Sequence, residues 1–397
     1  MRIFWYSTAP WGGSSYSVLT QRTVPDIVRM GHEVIVYAWY GLQGAAQRWP
    51  IRKRENPNEK AGVVTILPHC GSNPYGIDTA LAYYNAAKPD ILITNMDVWV
   101  FPPQISQHTK FCPWLPVDHD PIPKPVLDAL QPAIYPMCYS QWGTALLKDA
   151  GVDAHYVPCS ADAAVYKPIS QQEAREKLGM PKDGFIVTMV AANKDPSDRK
   201  GFGEAFAGFA KFLEKHEDAY LYPHTNWGGA LNIAALGERN GISKRIIHHD
   251  QLAYLSGAFD DKYMMTVYNA SDVLLNPAKS EGFGLPILEA QMCGCPVAAS
   301  DYSTTDELLF AGWKIPGQRH WSLGADSFRM LVSIDAVADA LEAAYAERGN
   351  ELLRKQARKG AINYDTQVVA DKYWRPALAE IEDIVLGQGG ELKMVTF

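Results

Sequence analysis

Asn276-Pro277-Ala278-Lys279-Ser280-Glu281-Gly282-Phe283-Gly284-Leu285-Pro286-Ile287-Leu288-Glu289-Ala290 is the stretch on which the reading of this chain turns. An apolar run, Asp272–Asn276, leads into a glycine-containing loop and then into helix-forming residues, so the pattern spells strand, loop, helix. Gly282 and Gly284 let the backbone come close to a ligand. Proline at 286 suits a first helical turn, where its missing N–H would be an unpaired donor in any case. The open amides and the dipole at such a helix start attract a diphosphate. Glu281 stands in the loop and Glu289 two turns down the same side of the helix, so that one carboxylate can reach sugar hydroxyls while the other reaches a ribose. A pair of helix glutamates alone is an ordinary solvated face; joined to Gly-Phe-Gly-Leu-Pro it is far more specific.

Outward from this segment the chain alternates strands and helices. Arg2–Ser7, the turn Pro10-Trp11-Gly12-Gly13-Ser14-Ser15, a helical pattern through Val18 to Val28 and the strand Glu33–Ala38 form a parallel crossover unit. Strands are expected again at Val63–Leu67, Asp90–Thr94, Lys110–Val117 and Ala133–Cys138, with a helix at Thr79–Ala87. A second set comprises strands at Phe185–Val190, Ala219–Pro223, Arg245–His248, Asp272–Asn276 and Pro296–Ser300, with helices at Gly203–His216 and Pro286–Met292. Helices at Ile334–Arg348, Glu351–Ala361 and Thr366–Ile384 close the chain. At 397 residues two cores of ordinary size are expected. The proline-bounded stretch Tyr156–Pro168 suits the crossing between them. The domains are read as 1–165 together with a final helix at about 375–397, and 166–374. Two parallel α/β domains face a cleft at the carboxyl ends of their strands, and a plan shared by so many activities leaves function to the site.

The central segment resembles glycosyltransferase family 4, the glycogen synthase and mannosyltransferase-like group, whose members carry Glu-Gly-Phe-Gly-Leu-Pro, then Glu-Ala, then Gly-x-Pro-Val. Here these read Glu281 to Pro286, Glu289-Ala290 and Gly294-Cys295-Pro296-Val297. The resemblance implies a GT-B fold: two Rossmann-like parallel-sheet domains about a central cleft, with the C-terminal helix returning to the N-terminal domain. It implies a retaining, metal-independent transfer of a hexose-type sugar from a UDP-, GDP- or ADP-sugar to an acceptor hydroxyl that the sequence does not identify. It also implies roles: Glu281 on the donor sugar, the amides of Phe283, Gly284 and Leu285 on phosphate or sugar, and Glu289 on ribose.

The same resemblance places a basic residue just after the strand Phe185–Val190 and a Lys-Gly six residues on. Lys194 and Lys200 stand there, and cations at a leaving diphosphate offset the charge that develops as the glycosidic bond breaks. Lysine at 194 stands where arginine is common, and loses the planar bidentate geometry. Gly12-Gly13 stands where the family approaches the donor phosphate and the acceptor. Asp118 or His119, after the strand ending in Trp114-Leu115-Pro116-Val117, is the candidate beside the anomeric carbon. Asp118-His119-Asp120 also spells the metal-binding Asp-x-Asp of the other major glycosyltransferase fold, a reading rejected because the parallel pattern and the two glutamates belong to the metal-independent class.

Composition sets the remaining bounds. A hydrophobic fraction of 47% with 20% charged residues is that of a folded globular chain. A formal charge of −7 argues against general nucleic-acid binding. The basic cluster Arg48, Arg52, Lys53 and Arg54 is read as a solvated loop, with peripheral contact to an anionic membrane surface as the sharper alternative. The scattered cysteines, Cys70, Cys112, Cys138, Cys159, Cys293 and Cys295, fit a reducing, cytoplasmic setting. No apolar run is long enough to span a membrane, and the N-terminus lacks the build of an export signal. A GT-B sugar-nucleotide epimerase and a non-catalytic sugar-nucleotide-binding protein are the competing readings.

Overall fold

In the computed structural model, which describes residues 1–387, the chain divides into two compact units. Met1–Val117, Ile122–Ser160 and the segment beginning at Thr366 form the first; Asp118–Pro121 and Ala161–Asp365 form the second.

The first unit is built on an eight-stranded sheet. Its strands are β1 (Arg2–Ser7), β2 (Glu33–Ala38), β3 (Gln47–Arg52), β4 (Lys60–Pro68), β5 (Ile91–Asn95), β6 (Phe111–Leu115), β7 (Met137–Cys138) and β8 (His155–Tyr156). They lie in the order β3-β4-β2-β1-β5-β6-β7-β8. All neighbours run parallel except β3, which turns back against β4. Residues of β1 are apolar on both faces because helices cover both sides, as a central parallel strand requires. The helix Ser15–Arg29 starts where the Ser14 hydroxyl accepts from the Ser17 amide at 3.1 Å. Trp5, Trp114 and Trp374 pack together, with centroid separations of 4.9 to 5.9 Å. The buried indoles find acceptors, Trp5 in the Thr20 hydroxyl at 3.1 Å and Trp114 in the Val157 carbonyl at 2.7 Å. The helix Arg375–Leu386 belongs to this unit and is tied to it by the Tyr135 hydroxyl, which donates to Glu380 at 2.6 Å. The remainder of the helix expected to about 397 lies outside the described residues.

The second unit has a five-stranded, all-parallel sheet in the order β10-β9-β11-β12-β13. These are β9 (Phe185–Val190), β10 (Ala219–His224), β11 (Val273–Asn276), β12 (Val297–Ser300) and β13 (Gly312–Ile315). Phe202, Phe206, Phe209 and Phe212 of the helix Phe202–Leu213 fill one side with Val337 and Leu341 of the helix Ile334–Ala346. An antiparallel hairpin, β14 (Gly317–Ser322) with β15 (Ser327–Val332), follows the sheet.

Several local expectations give way. The basic stretch at 48–54 is not a loop: Gln47–Arg52 is the edge strand β3, with Arg48 and Arg52 exposed, Lys53 paired with Glu59 at 2.6 Å and Arg54 with Asp26 at 2.8 Å. Pro50 sits where an edge strand tolerates a missing donor. The strand expected at Arg245–His248 shrinks to a single bridge, Leu221 to Ile246, because a tight turn at Ser243–Arg245 consumes its start. The final helix does form, running from Thr366 to Leu386 through one wide turn at Ala370–Trp374. The hairpin β14–β15 and the short strand β13 carry no strong apolar alternation, and the sequence reading passes over them.

Candidate functional site

The segment 276–290 folds as its glycines and proline dictate. Gly284 takes φ 102°, open to glycine and strained for other residues, and the helix Leu285–Met292 starts there with proline in its first turn and no side-chain cap. Pro286 has no amide and the Ile287 amide turns back to the Gly284 carbonyl at 2.9 Å, so the Leu285 amide is the one this first turn leaves to a ligand. The neighbouring helix Phe202–Leu213 differs, since the Asp198 carboxylate accepts from both the Phe202 and Gly203 amides at 2.8 Å and fills that N-terminus from within. An anion drawn to this region of the unit therefore meets one helix start that is open and one that is filled.

Gly201 brings the two segments together. A Cβ there would stand 2.5 Å from the Pro277 carbonyl oxygen, so only glycine lets the Asp198–Gly201 turn lie against the 277–281 loop. The adjacent Lys200 ammonium then donates to both oxygens of Glu281, at 2.6 and 2.8 Å, with the side chains 17% and 13% exposed. Burial lowers the lysine's pKa, opposed by the Glu281 charge. Arg199 extends the network. It donates to the Ser280 carbonyl at 2.8 Å, lies 3.3 Å from Asp118 and stands 3.9 Å from Glu281.

Asp118 and His119 follow β6, and the stretch Asp118–Pro121 is counted with the second unit. The Ser280 hydroxyl donates to the Asp118 carbonyl at 2.5 Å. His119 Nδ1 lies 2.9 Å from Asp118 Oδ1. Burial pushes the Asp118 carboxyl up, but the His119 hydrogen bond and the charges of Arg199, His119 and Arg329 outweigh it and hold the group well below the usual carboxylate range. An ionised carboxylate only accepts, so Nδ1 of His119 carries the hydrogen in this contact.

Glu289 is apart from Glu281. It is 7% exposed and accepts from the buried Tyr268 hydroxyl at 2.9 Å. The Phe283 carbonyl is fixed by the Thr304 hydroxyl at 2.5 Å, and the Ser303 hydroxyl accepts from the Glu281 amide at 3.1 Å. Lys194 is exposed and joins no ion pair among the described residues. Gly12 and Gly13 lie in the first unit: a Cβ on Gly12 would stand 2.6 Å from the Ser17 hydroxyl, while Gly13 has open space but φ 67°. At the end of β10, His224 sits among rings, 3.1 Å from the Tyr222 hydroxyl and 4.9 Å, centroid to centroid, from His249. Burial, with His249 beside it, takes its pKa down to about 3.

Residues 240–312 match the family described as Glycosyl transferases group 1, a span holding the whole Glu281–Glu289 stretch and Gly294–Val297. A D-inositol 3-phosphate glycosyltransferase of Acidothermus cellulolyticus is 28% identical over 153 residues, which are 36% of this chain and 32% of that protein. The serotype-specific mannosyltransferase WbdA of Escherichia coli is 27% identical over 143 residues, 36% of this chain and 16% of its own length. The chain thus spans about a third or less of the curated relatives it matches. Sucrose-phosphate synthase from Thermosynechococcus elongatus superposes with a TM-score of 0.74 at 16% identity, covering 96% of this chain and 100% of that one. Anabaena HepE in complex with UDP and glucose does so at 0.67 and 14% identity, over 96% and 100%.

The fold is GT-B, and residues 240–312 are similar to the group 1 glycosyltransferases. The resemblance seen in its donor-loop residues stands, and the solved structures, at such identities, carry the fold alone. Within this GT-B chain, sequence reasoning missed Arg199, Ser280, Ser303 and Arg329. Arg199 stood beside Lys200 in the same motif and was legible as a member of it. Ser303 and Arg329 reach the site from distant segments and gave no local signal.

Proposed function

We propose that the chain is a retaining glycosyltransferase that moves a hexose-type sugar from a nucleotide-diphosphate sugar to an acceptor hydroxyl without a metal ion. The observation that carries the reading is the buried Lys200–Glu281 pair beside the uncapped start of the helix Leu285–Met292, with Asp118 ionised next to it. In this reading residues 166–374 hold the donor and residues 1–165 the acceptor.

Lys200, with Lys194 and the amides of Phe283, Gly284 and Leu285, faces the diphosphate and offsets the charge that grows on it as the bond to the sugar breaks. Glu281 is held by Lys200 and accepts from sugar hydroxyls; Glu289 accepts from ribose. Gly12 and Gly13 carry the backbone approach to phosphate and acceptor. Asp118 serves as an anion, because its carboxyl stays ionised throughout the working pH range, and it stabilises positive charge at the anomeric carbon. His119, oriented by Asp118, positions a sugar hydroxyl through Nε2. With the leaving diphosphate and the acceptor hydroxyl on the same face of the sugar, the phosphate takes the acceptor's proton, no strong dedicated base is needed, and configuration is retained. A reducing, cytoplasmic setting goes with this reading; the cysteines form no disulfide among the described residues, and no helix there is long and apolar enough to cross a membrane.

The test is a thermal-shift screen with UDP, GDP, ADP and their sugars, followed by NMR of the product. A donor at about a hundred times its dissociation constant adds about 2.7 kcal/mol. An inverted anomeric coupling constant sinks the mechanism. Activity lost to chelator and restored by magnesium or manganese sinks metal independence.

A further inference from the structure

The hairpin that the sequence reading passed over delivers a residue to this site. On β15, the Phe328 amide donates to the Asp120 carbonyl and the Met330 amide to the Lys279 carbonyl, each at 2.8 Å. The Tyr302 hydroxyl donates to the Phe328 carbonyl at 3.1 Å. Arg329, between them, is therefore fixed where the 118–120 stretch and the 279–281 loop meet. Its Nε and Nη1 are both buried, and neither has a hydrogen-bond partner among the described residues. The guanidinium senses the charges of Asp118 and Asp195, opposed by Arg199, but pairs with none of them. The carboxylates nearby are already engaged. Asp118 is shared by His119 and Arg199, Glu281 is held by Lys200, and Asp195 accepts from the Ser197 amide and hydroxyl at 2.8 and 2.7 Å.

Arg329 is half-buried, yet two of its N–H groups are fully buried without a partner; such groups are costly, and proteins keep them where a ligand completes them. Arg199, Lys200 and Arg329 face the carboxylates of Asp118, Asp195 and Glu281, but the hydrogen bonds of those carboxylates go to other groups and leave the Arg329 donors unmet. Arginine suits a phosphate or carboxylate better than lysine does, through its several fixed N–H donors. Arg329 is outside the donor-loop motif and outside the segment matched to the family, so nothing in that resemblance assigns it.

We infer that Arg329 is an oxyanion-binding residue, whose buried N–H groups receive a phosphate or carboxylate of a substrate bound beside Asp118 and Arg199. The inference uses the proposed function only for the identity of that substrate; the oxyanion binding itself requires no transfer. The group is either the donor's diphosphate or an acidic substituent on the sugar or acceptor.

The test compares the full chain with Arg329→Gln and Arg329→Met by isothermal titration with inorganic phosphate, inorganic pyrophosphate, UDP, GDP and ADP, together with unliganded melting curves. The expected result is at least about tenfold weaker phosphate and pyrophosphate binding in both variants. Unliganded melting temperatures should be unchanged or raised, since a charge with unmet partners has been removed. If the nucleotide that binds weakens in parallel, the oxyanion is the donor's; if it binds as before, the acidic group belongs to the sugar or acceptor. Unchanged phosphate and pyrophosphate binding in Arg329→Gln overturns the inference, and a lowered melting temperature with unchanged binding makes the residue structural. Should no nucleotide bind while phosphate binding still depends on Arg329, the transferase reading falls and this one stands.

Discussion

The two units share a parallel sheet covered by helices and differ in what they bury. The interior of the first is rings: Trp5, Trp114 and Trp374 in mutual contact, with Tyr6, Tyr37 and Phe101 edge to face nearby. Even its glycine turn is held by uncharged groups, the Thr8 and Ser17 hydroxyls at 2.7 Å and Ser14 capping the helix. Against one such centre in the first unit, Asp26 with Arg29 and Arg54, the second unit buries several ion pairs: Arg175 with Asp272 at 2.7 Å, Lys200 with Glu281, and Arg199 beside Asp118. Ring packing holds a shape with little directional demand, whereas a buried ion needs each partner in place. The same layering thus yields one unit whose interior is sensitive mainly to lost volume and one in which single carboxylates also matter, some for the fold and some for the site.

That division is broken most severely at Asp272. Its side chain is 3% exposed, pairs with Arg175 and accepts from the Ile186 amide at 2.6 Å, tying the start of β11 to β9. Asp272→Ala should cost about 3–5 kcal/mol in urea denaturation, since it strands a buried guanidinium. It lies away from the proposed donor groups, so nucleotide affinity of the folded variant should hold. A loss under about 1 kcal/mol would mean that the pair is solvated in practice and that the contrast between the units is overstated.

Glu281→Ala and Lys200→Ala separate fold from site. Each should lower turnover by about 2.7–4 kcal/mol in the barrier, by analogy with the loss of one preorganised group at a developing charge. The ion pair is less buried than Arg175–Asp272, so unfolding should shift by less than in Asp272→Ala. Near-normal turnover in either variant, measured with a donor found by the nucleotide screen, removes that residue from the proposed mechanism.

What the sequence disclosed follows the same division. Glu281, Lys200 and the glycine loop were legible because their chemistry sits in contiguous residues, where spacing on a strand, loop and helix fixes who meets whom. The parallel sheets were legible from apolar runs such as Phe185–Val190, which the structure reproduces residue for residue. The hairpin was not, because β14 is exposed along nearly its whole length and gives no hydrophobic period. Arg329 went with it. Arg48–Arg52 was misread since charge on an edge strand looks like charge on a loop, and only pairing with β4 tells them apart. Tertiary hydrogen bonds, such as Ser303 to the Glu281 amide, leave no trace in local sequence.

A smaller effect sits at the ring cluster that the second unit does possess. His224 has a folded pKa of about 3 against an ordinary 6.5, so the native ring stays neutral where the unfolded chain would protonate. Stability is therefore undiminished above pH 6.5 and falls as pH drops below it, until the native ring protonates as well. Between pH 6.5 and about 5 the loss from this group is about 2 kcal/mol. His249, also depressed by burial, adds in the same direction. His224→Gln should flatten the stability profile over this interval relative to the native chain. Parallel profiles would place the proton uptake elsewhere and the histidine in a wetter site than the structure gives it.

The smallest effect is expected in the first unit, where recognition would rest on rings rather than charge. Trp11 is 53% exposed and Tyr40 55%, and the Trp11 indole donates to the Gly41 carbonyl at 2.7 Å. That bond pins the glycine turn to the 40–44 loop, which lines a hollow of about 680 Å³ with Trp39, Tyr40, Gln43 and His69. None of the charged donor-site residues lines it. An exposed indole held by its N–H presents a rigid apolar face, the surface on which the C–H side of a sugar ring or another flat acceptor group stacks. Such a contact contributes about 0.5–1.5 kcal/mol, so Trp11→Ala should raise the acceptor KM about two- to tenfold. Nucleotide affinity and melting temperature should stay put, since the ring is outside the core and the proposed donor groups belong to the other unit. The check is paired kinetics, acceptor varied at saturating donor and then the reverse. A rise in donor KM that keeps pace with the acceptor's would show that the Trp11 ring serves the donor as well, and its assignment to the acceptor would fail.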